Sequence, residues 1–398
     1  MLRFCDDEAY PLSFRARVHF ELGQMDLALA DIDRAIAVES PFLDQEQLLA
    51  LQADIRQQLD FEKGRSKLLT ANDLIRNGGD LAEAERLIDE ALALGVGDQK
   101  ELAMRLRANL LNQSQDWAQA RAQIDDLIAY LAPQQDGEIW KVRGDLSLRL
   151  EYPADAESDY TRALEAGLNE TDQIHVFEQR SRIRFQTYDF DGAIDDLTRL
   201  IALRELWGAY ALRGEVYFQQ AKLAHADNDV SAAIRLFDGR ESDQLVALHQ
   251  RKARILKAKD DVSGALDAYG EALAIAATPT LQLERGEYLF LNRLYEAALA
   301  DFEAVLTEPS ATPDDLGQAH LRRGLIRHEW QEAEAALAAY RAFFYNAGSG
   351  DNATLQAIGR GMIATLQSNG YYDGNLSAWD EAIETALVNC VQDPNCKF

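Results

Sequence analysis

A chain of 398 residues with 67 carboxylates against 40 lysines and arginines carries a formal charge of −27. That balance excludes a non-specific nucleic-acid binder, because phosphate contacts need a basic surface, and it opposes docking on anionic lipid. No run of 18 or more apolar residues occurs, so no membrane insertion is expected. The opening MLRFCDDEAY has neither the basic nor the apolar region of a signal peptide. A mature or truncated form would place the chain in a bacterial periplasm or cell envelope, and otherwise it belongs in the cytoplasm.

In chain order, one alanine setting returns at Ala28, Ala84, Ala120, Ala156, Ala193, Ala233, Ala265 and Ala298. The windows include GQMDLALADIDRAI, SQDWAQARAQIDDLI and NRLYEAALADFEAVL. A period in the mid-thirties predicts an all-α solenoid of about eight to nine stacked helical hairpins, each too small to bury its own apolar face. Between the first two hairpins, Leu48, Leu49, Leu51, Ile55 and Leu59 have helical spacing, which predicts an inserted helix over about 43–60. The ninth hairpin fits two registers, on Ala333 or on Ala336. The prolines Pro11, Pro41, Pro133, Pro153, Pro279, Pro309 and Pro313 fall where hairpins should begin or turn, and a proline inside a helix costs about 3 kcal/mol.

When each hairpin is numbered so that its second-helix alanine is position 20, small residues recur at 8 and 27 and bulky ones at 4, 11 and 24. The fourth hairpin has Trp140, Gly144, Ala156, Tyr160 and Ala163. The sixth has Tyr210, Gly214, Tyr217, Ala233 and Phe237, with positions 8 and 20 seven residues further apart than elsewhere, so each of its helices should gain a turn. The eighth has Gly286, Ala298 and Phe302, with Pro309 at its end. In this pattern residues 1–345, most clearly from about 10 onward, resemble the tetratricopeptide repeat (TPR) family.

The resemblance implies a right-handed superhelix whose first helices line a concave groove, with positions 5, 9 and 12 pointing into it. A protein or peptide partner would lie there. Those positions hold Arg17, Arg76, Arg105, Lys141, Arg182, Arg254 and Lys257, mixed with Asp73, Asp145, Glu178, Glu215 and Glu287. Arg105, Asn109 and Asn112 resemble part of a carboxylate clamp, to which Lys141 and Arg182 would contribute; an arginine donates two parallel hydrogen bonds to one carboxylate. Phe20, Phe185, Phe218 and Phe290 recur at position 12, either as anchors for a partner's apolar side chains or as ordinary packing.

The period ends near Ala347, and residues 346–398 read as helix, turn, helix and tail. LQSNGYYDG followed by WDEAIETAL resembles a small helical peptidoglycan-binding module at Leu366, Gly370, Tyr371, Tyr372 and Gly374, although the family's Asp-Gly-x-x-Gly loop is absent. The alternative is a helical cap that shields the last hairpin. Cys390 and Cys396 flank a turn at Asp393-Pro394-Asn395. They form either a small disulfide loop, which requires an oxidising compartment, or two reduced thiols, and Cys5 is left over.

No phosphate-binding loop, nucleophile elbow or HExxH motif is present. His249 and His320 sit at position 4, where they pack, and His320 and His328 are too far apart to share a metal. No cofactor, metal or catalytic residue is expected. Sequons at Asn112, Asn169, Asn352 and Asn375 matter only in a secreted eukaryotic chain. The expected function is a non-catalytic scaffold holding a partner's peptide in the groove, the alternative being an envelope protein that contacts cell-wall glycan.

Overall fold

The computed structural model describes residues 8–38, 40, 43–132, 136–239, 242–349, 353–374 and 381–398, with backbone only at 348 and 349. Cys5, Pro41, Pro133, Asn352 and Asn375 lie outside the described residues. The described residues form twenty α-helices and no strand, in two compact units, Met1–Tyr188 and Asp189–Phe398.

The first unit pairs α1 (Ala9–Glu21) with α2 (Met25–Ala37), α3 (Gln45–Arg76) with α4 (Leu81–Leu94), α5 (Lys100–Gln113) with α6 (Trp117–Leu131) and α7 (Gly137–Arg149) with α8 (Pro153–Ala166), and ends in α9 (Glu170–Gln186). The second begins with α10 (Phe190–Leu203). It then pairs α11 (Trp207–Gln219) with α12 (Leu223–Leu236), α13 (Ser242–Ala258) with α14 (Val262–Ile275), α15 (Pro279–Leu291) with α16 (Tyr295–Thr307) and α17 (Pro313–Glu329) with α18 (Ala333–Ser349). The last two helices are α19 (Ala353–Ser368) and α20 (Glu381–Gln392). Below, the first helix of a pair is its A helix and the second its B helix.

Each hairpin closes at one crossing point. Ala28, Ala84, Ala120, Ala156, Ala265 and Ala298 are fully buried, because a larger side chain would force A and B apart. The partner at position 8 is matched to position 24. A Cβ on Gly144 would lie 2.7 Å from the Tyr160 ring, one on Gly286 2.8 Å from Phe302, and one on Gly324 2.6 Å from Tyr340. Where position 24 is isoleucine, as at Ile32 and Ile124, position 8 can carry the methyl groups of Ala16 and Ala108, and all four side chains are buried. Pro153, Pro279 and Pro313 occupy the first position of α8, α15 and α17, where no backbone donor is lost.

Three details of the sequence reading change. The sixth hairpin has no extra turns: α12 starts at Leu223 and its fourth residue, Ala226, is fully buried. Gly214 faces Val230, sixteen positions on, as Gly144 faces Tyr160. Ala226 is therefore position 20, and Ala233 is position 27. In the ninth hairpin Ala336, fully buried on α18, takes the crossing position. The helix expected over 43–60 runs on without a break, so that α3 spans 32 residues. Gly64 sits inside α3 facing Ala91 and Val96, and the lack of a side chain there lets the α4 end approach.

The C-terminal helices pack on the last hairpin. Leu355, Met362, Ile363 and Leu366 of α19 and Ile383, Leu387 and Cys390 of α20 join Tyr340, Phe343 and Phe344 of α18 in one buried cluster.

Candidate functional site

The A helices of neighbouring hairpins pack side by side, α3 with α5 and α7 with α9 in the first unit, α15 with α17 in the second. Their charged side chains meet across the hairpin boundary. In the first unit Arg105 donates to Glu101 (2.8 Å) within α5 and to Asp136 (3.0 Å), the N-cap of α7. Lys141 on α7 pairs with Asp172 on α9, and that hydrogen bond holds the Asp172 carboxyl below the usual range. Asp145 accepts from the Tyr160 hydroxyl (2.7 Å) and lies 2.8 Å from His175 Nε2. This contact raises the His175 pKa, while burial and Asp145 raise that of Tyr160. Arg182 pairs with Glu178 one turn away at 2.7 Å.

The second unit repeats the arrangement. Glu215 on α11 forms ion pairs with two guanidinium groups of α13, Arg251 at 2.9 Å and Arg254 at 3.6 Å. Glu287 on α15 pairs with Arg322 on α17 at 2.6 Å. The Lys257 ammonium stands 4.9 Å from the centre of the Tyr288 ring, a cation–π contact. Five of the seven basic residues read from the sequence at groove positions, Arg105, Lys141, Arg182, Arg254 and Lys257, thus have an intramolecular partner.

The other candidate residues are placed differently. Asn109 is exposed and Asn112 half-buried, and the Asn112 Oδ1 has no hydrogen-bond partner among the described residues. Phe20 packs against the Leu12, Ala16 and Ala28 cluster, and Phe218 against Ala226, Val230 and Ile255. Phe185 is half-buried. Phe290 lies under the Arg322 guanidinium at 5.1 Å. Position 12 therefore contributes packing surface, and all four rings are half-buried.

Two features were missed in the sequence. The first is a cleft of about 540 Å³ between α15, α17 and α19, with Leu283, Leu321, Leu355 and Ile358 as apolar wall and Glu284, Asp314 and Asp315 among its polar lining. The second is an ion pair inside the hairpins, joining position 7 to position 23: Arg15–Asp31, Arg143–Asp159, Arg213–Asp229 and Arg285–Asp301. Its signal was available, an arginine and an aspartate sixteen residues apart.

At the C-terminus the residues that match the glycan-binding pattern have structural contacts. Leu366 and Tyr372 are buried, Tyr371 donates to Asp393, and Gly370 turns the chain with φ +78°. Cys390 and Cys396 are joined in a disulfide, with Cα atoms 5.3 Å apart. Beyond it Phe398 packs edge-on against His328 and Tyr340. His320 is pushed down to about 4 by burial and by Arg323, and His328 is lowered by burial. Both are neutral packing groups near neutral pH. No helix among the described residues is long and apolar enough to cross a membrane.

No family model and no curated protein matches the sequence. Solved structures do match. The C-terminal part of a TPR repeat-containing protein from Cytophaga hutchinsonii superposes with a TM-score of 0.51 at 16% identity, covering 63% of this chain and 98% of that one. A tetratricopeptide repeat protein from Parabacteroides merdae gives 0.43 at 17% identity, covering 65% and 97%. YrrB, described as a TPR protein with an unusual peptide-binding site, gives 0.42 at 17% identity, covering 50% and 96%.

Proposed function

We propose that this chain, whose fold is that of the tetratricopeptide-repeat proteins, is a non-catalytic scaffold that holds a peptide segment of a partner protein along its A helices. One observation carries the reading. Within each unit the charged side chains of one A helix reach the next A helix, as in Lys141–Asp172 and Glu287–Arg322, so the A helices share a polar face instead of burying it. A bound segment would exchange its own charges with this ladder, which sets register and specificity more than raw affinity. The half-buried rings of Phe20, Phe185 and Phe218 would supply apolar contact, and Asn109 and Asn112 amide hydrogen bonds to an extended backbone.

The test is site-specific photo-cross-linking in cells of the source organism. A photoreactive residue at Asn109, exposed on α5, should trap a partner, whereas one at Glu165, exposed on the B helix α8, should not. The triple variant R105M, K141M and R182M should lose the cross-link while remaining helical by circular dichroism. Trapping from Glu165 alone would reject the A-helix face as the site.

A further inference from the structure

Resting on the scaffold reading above, we infer that the cleft between α15, α17 and α19 takes a peptide segment in which an aliphatic side chain is flanked by lysine or arginine. The cleft of about 540 Å³ falls within the size of ligand clefts, about 300–1,000 Å³. Its wall is aliphatic. Leu283, Leu321 and Leu355 are at least nine-tenths buried, while Ile358 on α19 remains 37% exposed, a contact surface that the chain itself leaves uncovered.

The polar lining settles the sign of the occupant. Glu284, Glu287 and Asp315 share the lining with one cation, Arg322. That guanidinium is bound to Glu287 at 2.6 Å and lies over the Phe290 ring at 5.1 Å, so its charge is matched within the protein. Glu284 has only a 3.4 Å hydrogen bond from the neutral Gln250 side chain. Asp315 accepts from the Thr312 backbone at 2.9 Å and hydroxyl at 2.7 Å, both neutral donors. No cation among the described residues pairs with Glu284, and Asp315 is offset only by the N-terminal end of α17. An acidic segment would meet them in a partly desolvated cleft and be repelled, whereas a basic one gains attraction and places its aliphatic neighbour on Ile358. A second copy of this chain is disfavoured as occupant, since its net charge is −27.

Fluorescence anisotropy on the full chain tests this with three labelled nine-residue peptides, one alternating lysine and leucine, one glutamate and leucine, one lysine and serine. The lysine–leucine peptide should bind about tenfold or more tighter than either other, the equivalent of one good charge contact. E284K should weaken it about tenfold, I358S should weaken it comparably, and E85K on α4 of the other unit should leave it unchanged. Equal effects of E284K and E85K would mean attraction to an acidic protein at large, and the proposal falls. It falls equally if the glutamate–leucine peptide binds as well, or if I358S has no effect while circular dichroism shows a folded chain. Cross-linking from Asn109 that persists alongside such a result leaves the scaffold reading standing and removes this site alone.

Discussion

Arg285 and Asp301 lie sixteen residues apart and join α15 to α16 through two parallel hydrogen bonds, 2.8 Å from Nε and 2.5 Å from a terminal nitrogen. The carboxylate is almost fully buried and the guanidinium less than one-third exposed. The fork geometry matches both carboxylate oxygens, which makes the contact directional as well as strong. It fixes the rotation of A against B at the same height as the Gly286–Phe302 crossing. D301A leaves a partly desolvated guanidinium without its acid, and a cost of about 2 kcal/mol is expected. R285M with D301L should recover most of it, because two apolar groups of similar shape do not need each other. Urea midpoints of the three variants decide this.

The matched sizes at positions 8 and 24 make a second expectation. G324A introduces a methyl 2.6 Å from the Tyr340 ring, and overpacking of this kind costs about 1–3 kcal/mol. The combination G324A with Y340I copies the Ala16–Ile32 and Ala108–Ile124 pairs of the first unit, and it should restore part of the loss. Ala253 and Tyr269, at positions 8 and 24 of one hairpin, are buried in one cluster, so a hairpin can accommodate both and the loss in G324A alone should lie toward the lower end of that range.

Most intra-hairpin turns place one residue in the left-handed region. It is glycine at Gly23, but Gln115, Glu151, Ala221, Asp260, Arg293 and Gln331 also have φ between 56° and 63°. A side chain there is strained by about 1–2 kcal/mol, part of which glycine returns as unfolded-state entropy. A221G should therefore stabilise the second unit by about 0.5–1 kcal/mol. A higher urea midpoint at unchanged slope would show it.

How much of this was legible follows from where the physics is local. The alanine period announced the crossing points because only small residues fit there, and that carried the fold. The sixth hairpin was misread because Ala226 and Ala233 sit two turns apart on the same face of α12, and both are buried. Sequence spacing alone favoured the wrong one. The continuation of α3 past residue 60 is not legible locally, because what Gly64 accommodates, the approach of Ala91 and Val96, comes from the next helix and its end. The charges at positions 5 and 9 are plain in the sequence, but their partners lie 31 residues on, as for Lys141 with Asp172 and Arg105 with Asp136. Such pairs depend on how one A helix stands against the next. The α15–α17–α19 cleft was invisible because α19 lies outside the repeat.

The cysteine chemistry gives a direct count. With Cys390 and Cys396 joined, the unfolded chain should titrate one thiol without reductant and three with it, since the sequence has three cysteines. Reduction should also loosen the tail that carries Phe398 onto His328 and Tyr340. A small loop of this kind contributes about 2 kcal/mol. Protection of the α20 amides against hydrogen exchange should therefore drop in C390S with C396S. Three thiols without reductant would show that the bond does not form in the cell of origin.

The contact between Asp145 and His175 should make the first unit sensitive to pH in a definite direction. Its carboxylate raises the His175 pKa above the ordinary 6.5, against the opposing effect of burial. A histidine more basic in the folded than in the unfolded chain contributes stability that is complete below the unfolded value and disappears as pH rises through the folded one. The contribution should therefore be complete below the ordinary 6.5 and be lost as pH rises through the raised value of the folded chain. H175Q cannot titrate, so the stability difference between wild type and variant should shrink across this interval, and D145N should shrink it likewise. The proton chemical shift of the His175 ring, followed from low to high pH, gives the folded pKa directly, and a value at or below 6.5 would contradict the assignment.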